Sequence, residues 1–170
     1  MRTAAHTDAA PPARRTARSR PFSGSAGQEL PPGDLVGFAA LVGAEPLTGE
    51  AAIAAIRHGY AAKILKQASH FFDVPDARIQ DIARVPASTA SRLEKKQARI
   101  DPAATERVYR MGSVTHMAVD IFADQVAAVA WMRQPNRSLG GAAPLDLMDT
   151  EPGAVAVRQV LDAIASGAVA

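Results

Sequence analysis

The chain has 170 residues, 48% of them hydrophobic but only 5% aromatic, with a formal net charge of +2. That length holds one ordinary domain, or two very small ones plus tails, and with no cysteine it excludes disulfides, thiolate zinc sites and thiol nucleophiles together. No apolar run reaches the roughly 18–20 residues that span a bilayer, and the N-terminus has arginines without the apolar stretch of a secretory signal, so a cytoplasmic protein that makes no membrane contact is expected.

Residues 1–33 are rich in Pro, Ser, Gly and Arg with few large apolar side chains. Such a segment cannot bury enough surface to offset its ordering entropy, so it is expected to be a disordered tail. Order is expected from about residue 34. Alanine is abundant and strand-type alternation is scarce, which predicts an all-α fold. In LTGEAAIAAIRHG, Thr48 suits an N-cap and Gly59 a stop. The next segment, YAAKILKQASHFF, sets Ile64, Leu65, Ala68, Phe71 and Phe72 on one apolar stripe. His70 beside the two Phe fits a structural, hydrogen-bonded histidine.

Residues 76–95 read as two short helices about a tight corner at Val85–Pro86. Ile79, Ile82 and Ala83 face inward from the first, and Ala87, Ala90 and Leu93 from the second. That leaves Ser88, Ser91, Arg92 and Lys95 outward, and with Thr89 and Lys96 they are the candidate DNA contacts. Two short helices with an outer face of hydroxyls and cations match the helix-turn-helix pattern. Arg and Lys pair with phosphates or guanine edges, and short hydroxyls donate to either. On pattern alone, DNA contact and an ordinary solvated helix are equally good readings.

Charge is unevenly spread. Residues 75–110 carry eight basic and five acidic side chains, and residues 111–170 carry three basic and six acidic. The middle suits a polyanion and the C-terminal part opposes one, which points to two kinds of partner. Asp101–Pro102 opens a longer helix in which Val108, Met111, Val114, Ala118, Ile121 and Phe122 face inward and Gly112 marks an interruption. A shorter helix carries Trp131, and the last begins after Thr150 with Val157, Val160, Leu161 and Ile164 as its stripe.

Between them lies MRQPNRSLGGAAPLDLMDT, residues 132–150. Adjacent glycines raise the question of a phosphate cradle, but that needs a preceding strand and usually a following Lys-Ser/Thr. Here the glycines follow a helix and no lysine is near. A shaped corner fits better: Pro135 stops the tryptophan helix, Asn136 bonds its own backbone to set a turn, and Leu139 plugs inward. Gly140 and Gly141 permit positive φ, Pro144 starts a helical turn, and Thr150 caps the final helix.

The ordered set Trp131, Pro135, Asn136, Leu139, Gly140, Gly141, Pro144 and Thr150, followed by a helix, closely resembles the C-terminal domain of the MbcA/ParS/Xre antitoxins. The resemblance is strongest over residues 123–170 and is supported by the pattern at 76–95. Arg84, where glycine is commoner, and Pro86 at the helix start depart from it. It implies an all-α protein with an Xre-like helix-turn-helix region over residues 34–110 and a small C-terminal antitoxin domain over residues 111–170. It also implies dimerisation through the C-terminal domain, and autorepression by binding operator DNA. The partner implied is a RES-domain toxin that degrades NAD or transfers its ADP-ribose. The C-terminal helix and tail, about residues 151–170, would occlude the toxin's active site. Arg158, Asp162, Ser166 and the terminal carboxylate of Ala170 are the candidate toxin contacts. No cofactor, metal or catalytic residue is implied. His6, His58 and His116 are read as lacking a carboxylate or second His at ligand spacing. A stand-alone helix-turn-helix repressor is the alternative, and an enzyme finds no nucleophile, base or metal cluster in a convincing frame.

Overall fold

The computed structural model describes residues 37–168; the tail 1–33 and Ala170 lie outside the described residues. Eight α-helices follow in order: α1 (Gly37–Gly43), α2 (Gly49–His58), α3 (Lys63–Phe72), α4 (Asp76–Ala83), α5 (Ala87–Lys95), α6 (Pro102–Phe122), α7 (Gln125–Arg133) and α8 (Glu151–Ala165). Two 3-10 segments, Arg137–Leu139 and Pro144–Asp149, join α7 to α8. The fold is all-α; the one strand-like feature among the described residues is an antiparallel bridge between Ala61 and Arg99.

The long helix α6 is the spine, packed against α1, α2, α4, α7 and α8. Asp101 caps it by accepting from the Ala104 N–H at 2.9 Å, with Pro102 in the first turn. Val108, Met111, Val114 and Ala118 form its buried stripe. The helix runs without a break through Gly112, contrary to the interruption expected there. Glycine sits at that point because α1 lies close: a Cβ would stand 2.7 Å from Leu41 Cδ2. Residue 111, where the second region was expected to begin, is mid-helix, so the two regions share one element.

Helix α1 carries no readable period in seven residues, and tertiary packing holds it. Its Phe38 ring meets Phe71 at 5.3 Å and Phe72 at 5.4 Å between centroids. Ile64, Leu65, Ala68 and Phe72 of α3 are buried, and Phe71 is half-buried. His70 is exposed; at one position before Phe71 it falls off the buried stripe. Thr48 occupies the N-cap position of α2 without a side-chain cap bond.

Four helices end on a left-handed residue that is not glycine; besides Ala123 after α6, three of them close alike, at Asp73 after α3, Arg84 after α4 and Gln97 just beyond α5. In each case the next N–H reaches back to a carbonyl of the preceding helix, from Val74 to Ser69, Val85 to Gln80 and Ala98 to Leu93. This is the Schellman arrangement, and it satisfies carbonyls that a helix end otherwise orphans. Arg84 thus makes the turn that glycine would make, at a conformational cost of about 1–2 kcal/mol. Pro86 stands at the N-cap of α5, ahead of the first helical residue, where its missing N–H breaks no helical bond.

Candidate functional site

Helices α4 and α5 form the expected two-helix unit, with Ile79, Ile82, Ala83 and Ala90 buried and Leu93 half-buried. Ser88, Ser91, Arg92, Lys95 and Lys96 line one open depression of about 460 Å³ on the outer side of α5. Thr89 stands outside that set and is half-buried, while Ala87, expected inward, is exposed. Being the first residue of α5, Ala87 precedes the turn that contacts the core.

The basic residues of this half divide sharply. The Arg78 guanidinium donates to both Asp146 carboxylate oxygens, Nε to Oδ1 at 2.7 Å and Nη2 to Oδ2 at 2.9 Å. Arg84 Nη2 lies 3.1 Å from Asp149 Oδ2. Arg107 donates to the backbone carbonyls of Asp149 and Ala83, and Arg99 to that of Gly59 at 2.9 Å. Arg110, buried at 7% exposure, donates to Glu106 and, at 3.1 Å, to the Met148 carbonyl. Arg92, Lys95 and Lys96 have no such partner among the described residues and are exposed. The acidic C-terminal part therefore pins α4 instead of being held away from the basic middle. Asp146 and Asp149 are three apart in a 3-10 segment, where residues i and i+3 eclipse, so both carboxylates stand on one edge, toward α4. That spacing was readable in PLDLMD, but only once a 3-10 period replaces the α-helical one.

The corner at 132–150 is closed by its own backbone. Asn136 donates from its N–H to the Ala142 carbonyl at 3.0 Å and accepts from the Gly141 N–H at 2.9 Å. Its side-chain Oδ1 accepts from the Ser138 N–H at 2.8 Å. Gly140 and Gly141 both take positive φ, +67° and +86°, a region L-residues rarely adopt. Trp131 packs on Phe122, with ring centroids 5.8 Å apart. Pro144 is buried, Leu139 is half-buried and Pro135 is exposed. Every inward-facing bond of the corner is structural, and no convergent set of free N–H groups is left for a phosphate.

Helix α8 starts from Thr150, whose Oγ1 accepts from the Gly153 N–H at 3.2 Å. Ala154, Val157 and Leu161 are fully buried, while Val155, Gln159, Asp162 and Ser166 are exposed. Of the sequence candidates, Asp162 and Ser166 lie on the open side, with Ser166 Oγ donating to the Ala163 carbonyl. Arg158 is half-buried and bound to Glu151 at 2.9 Å, which also meets Arg110 at 3.1 Å. Glu106, Arg110, Glu151 and Arg158 thus form one chain of alternating charge between α6 and α8, a set that sequence spacing did not reveal because it joins residues far apart. Nearby, Tyr109 donates its hydroxyl to the Leu47 carbonyl. The Tyr60 hydroxyl is buried without a partner among the described residues; burial above all, then Tyr109, pushes its pKa to about 12. The seam offers no phenol that ionises near neutrality.

Contrary to the expectation that His116 lacks a carboxylate at ligand spacing, His116 has Asp120 at i+4 on the same helix. Its Nε2 is 3.2 Å from Asp120 Oδ2, and Nδ1 meets the Val42 carbonyl at 2.7 Å. Because a carbonyl only accepts, Nδ1 is the donor there, and the ring ties α1 to α6. Among the described residues no cluster of three His, Cys, Asp or Glu could hold a metal ion, and no helix is long and apolar enough to cross a membrane.

Comparison with known proteins finds two family models on this chain. Residues 51–112 match the antitoxin Xre-like helix-turn-helix domain, and residues 117–167 match the antitoxin Xre/MbcA/ParS C-terminal toxin-binding domain. The chain is 27% identical to an antitoxin Xre of Yersinia enterocolitica over 127 residues, 74% of this chain and 86% of the relative. It is 30% identical to a Prs ADP-ribosylating antitoxin of a Sphingobium species over 130 residues, 69% of this chain and 80% of the relative. An antitoxin Xre of Photorhabdus laumondii is 33% identical over 89 residues, 52% of this chain and 60% of the relative. With a helix-turn-helix unit pinned by acids to the glycine corner, and a half-open helix beyond it, the chain belongs to the Xre/MbcA/ParS antitoxin family: it is the antitoxin of a toxin–antitoxin system and carries a helix-turn-helix DNA-binding region.

Proposed function

We propose that this chain is a type II antitoxin that neutralises a RES-domain toxin and represses its own operon. The outer face of α8, with Asp162 and Ser166, covers the toxin's active site, and the α5 face reads operator DNA. The observation that carries the reading is the division of α8 and α5 alike into a buried side and an open polar side. The Sphingobium relative is named for ADP-ribosylation of Prs, and ADP-ribosylation draws on NAD, which supports an NAD-consuming toxin as the partner. A homodimer formed through the C-terminal region would present two α5 helices to a two-fold symmetric operator, in half-sites about one helical turn apart. Arg158 serves this reading as a brace for the start of α8 through Glu151, more than as a free toxin contact.

The DNA half is tested by titrating a duplex covering the promoter of this gene with the intact chain and with Arg92→Ala. If Arg92 reads a base edge, the variant loses about 1–3 kcal/mol on the operator and little on random duplex. Equal losses on both duplexes would reassign Arg92 to a phosphate, and no binding of either duplex by the intact chain would retire the repressor role.

A further inference from the structure

The described lysines, Lys63, Lys66, Lys95 and Lys96, are all exposed, and none of their side chains has an ion-pair or hydrogen-bond partner among the described residues. Internal ties use arginine, the residue suited to bidentate geometry, while the lysines stand free in two groups, at the start of α3 and the end of α5.

The backbone fixes the start of α3 beside the end of α5, where Glu94 and Gln97 flank Lys95 and Lys96 in sequence. Ala62 donates to the Ala98 carbonyl at 2.9 Å, and Ile100 donates to the Tyr60 carbonyl at 2.9 Å. This short antiparallel pairing staples the connection before α3 to the connection after α5. As a result Lys63, Glu94 and Gln97 line a single depression of about 430 Å³. Lys66 lies three residues on from Lys63, on the same face of α3. The N-terminal end of α3, ten residues long, adds positive helix-dipole potential at the same place.

We propose that Lys63 and Lys66, continuing the line of Lys95 and Lys96, form a phosphate-binding rail that holds the DNA backbone beside the groove entered by α5. This rests on the operator-binding reading above. Nine residues make α5 about 13 Å long, close to the roughly 12 Å width of the major groove. With the start of α5 over the base edges, its end, with Lys95 and Lys96, reaches the phosphate rim, and the backbone pairing sets the start of α3 beside that end. A lipid surface suits the patch less well, because the exposed large hydrophobics, Ile53, Val126 and Val155, are not among the residues that line it. The rail carries charge without a fork geometry or base-edge reach, so it contributes affinity that does not depend on sequence.

The test is a salt titration of duplex binding by the full chain and by the double variant Lys63→Gln, Lys66→Gln. The proposal expects the slope of log affinity against log salt to shrink by about 2, which between 50 and 200 mM salt is about tenfold less affinity lost. The shrinkage should be the same for operator and random duplex. Phosphate-ethylation interference on the operator should lose signals flanking the groove and keep those within it. An unchanged slope and interference pattern, in a variant that melts at the parental temperature, overturns the rail while leaving operator reading by α5 intact. No duplex binding by the unaltered chain overturns both.

Discussion

Gly59→Ala is expected to lower stability by about 3 kcal/mol and the melting temperature by roughly 10 °C. Two independent costs act at this residue. Gly59 ends α2 with φ 84° and ψ 147°, close to a region of backbone space that is essentially glycine's alone. A Cβ there would also stand 2.6 Å from the Ile100 carbonyl oxygen, and a backbone atom cannot swing aside as a side chain can. Relief requires separating the connection before α3 from the one after α5. That would break the Ala62–Ala98 and Ile100–Tyr60 bonds and the Tyr60 N–H bond to Thr105 Oγ1 at 3.1 Å. The end of α5 would lose its anchor with them. Thermal denaturation followed by far-UV circular dichroism measures the loss; a melting temperature within a degree or two of the parent would mean the turn accepts a side chain.

Gly153→Ala is the second large effect, a net destabilisation of about 2 kcal/mol. In the first turn of α8, alanine should gain about 1 kcal/mol of helix propensity over glycine. Here its Cβ would lie 2.2 Å from the Leu147 carbonyl oxygen, with Leu147 Cβ and Thr150 Oγ1 each at 3.0 Å. Clearing that contact means moving the 3-10 segment away from α8, and overpacking of this kind typically costs 1–3 kcal/mol; a backbone obstacle belongs at or above the upper end of that range. The same movement would shift Asp146 and Asp149, which hold Arg78 and Arg84. Denaturant unfolding gives the sign directly: a midpoint raised by the substitution would show that propensity wins and that the junction is looser than its geometry indicates.

Much of this protein is legible in its residues. The apolar stripes of α3, α4 and α6 follow from a period of 3.6, and the cap of α6 from Asp101–Pro102. The corner was readable because proline, asparagine and paired glycines each restrict the backbone in a known way. What escaped sequence reading is what depends on contacts distant along the chain. Helix α1 is too short to show a period and exists because Phe38 joins Phe71 and Phe72. Gly112 looked like an interruption because the approach of Leu41 is invisible locally. The charge division suggested separate partners, whereas Arg78–Asp146 and Arg84–Asp149 show that part of it serves to fasten α4 to the corner. Arg158 looked like a free contact because its partner Glu151, seven residues earlier, belongs to a network that α6 completes.

Those ties also give the molecule its functional logic. The recognition unit and the corner share α6 and are joined by two arginine–aspartate pairs, so the helix proposed to meet the toxin and the helix proposed to meet DNA are held by one frame. Exposed pairs of this kind contribute modestly to stability, typically below about 1 kcal/mol each. Their larger effect is to fix orientation, the more so for the two-bond geometry of Arg78 on Asp146.

The most direct test of the central claim is NAD turnover by the proposed RES-domain partner, alone, with an equimolar amount of the chain, and with the Asp162→Arg variant. Removing residues 151–170 would be a poorer probe, because Ala154, Val157 and Leu161 are part of the core and their loss tests folding. Asp162 is exposed, so its replacement leaves that core in place. Loss of turnover with the parent chain, largely regained with Asp162→Arg at an unchanged melting temperature, is the predicted result. Turnover untouched by the parent chain, with the two proteins eluting separately on a sizing column, would contradict the account and leave a helix-turn-helix repressor without this toxin.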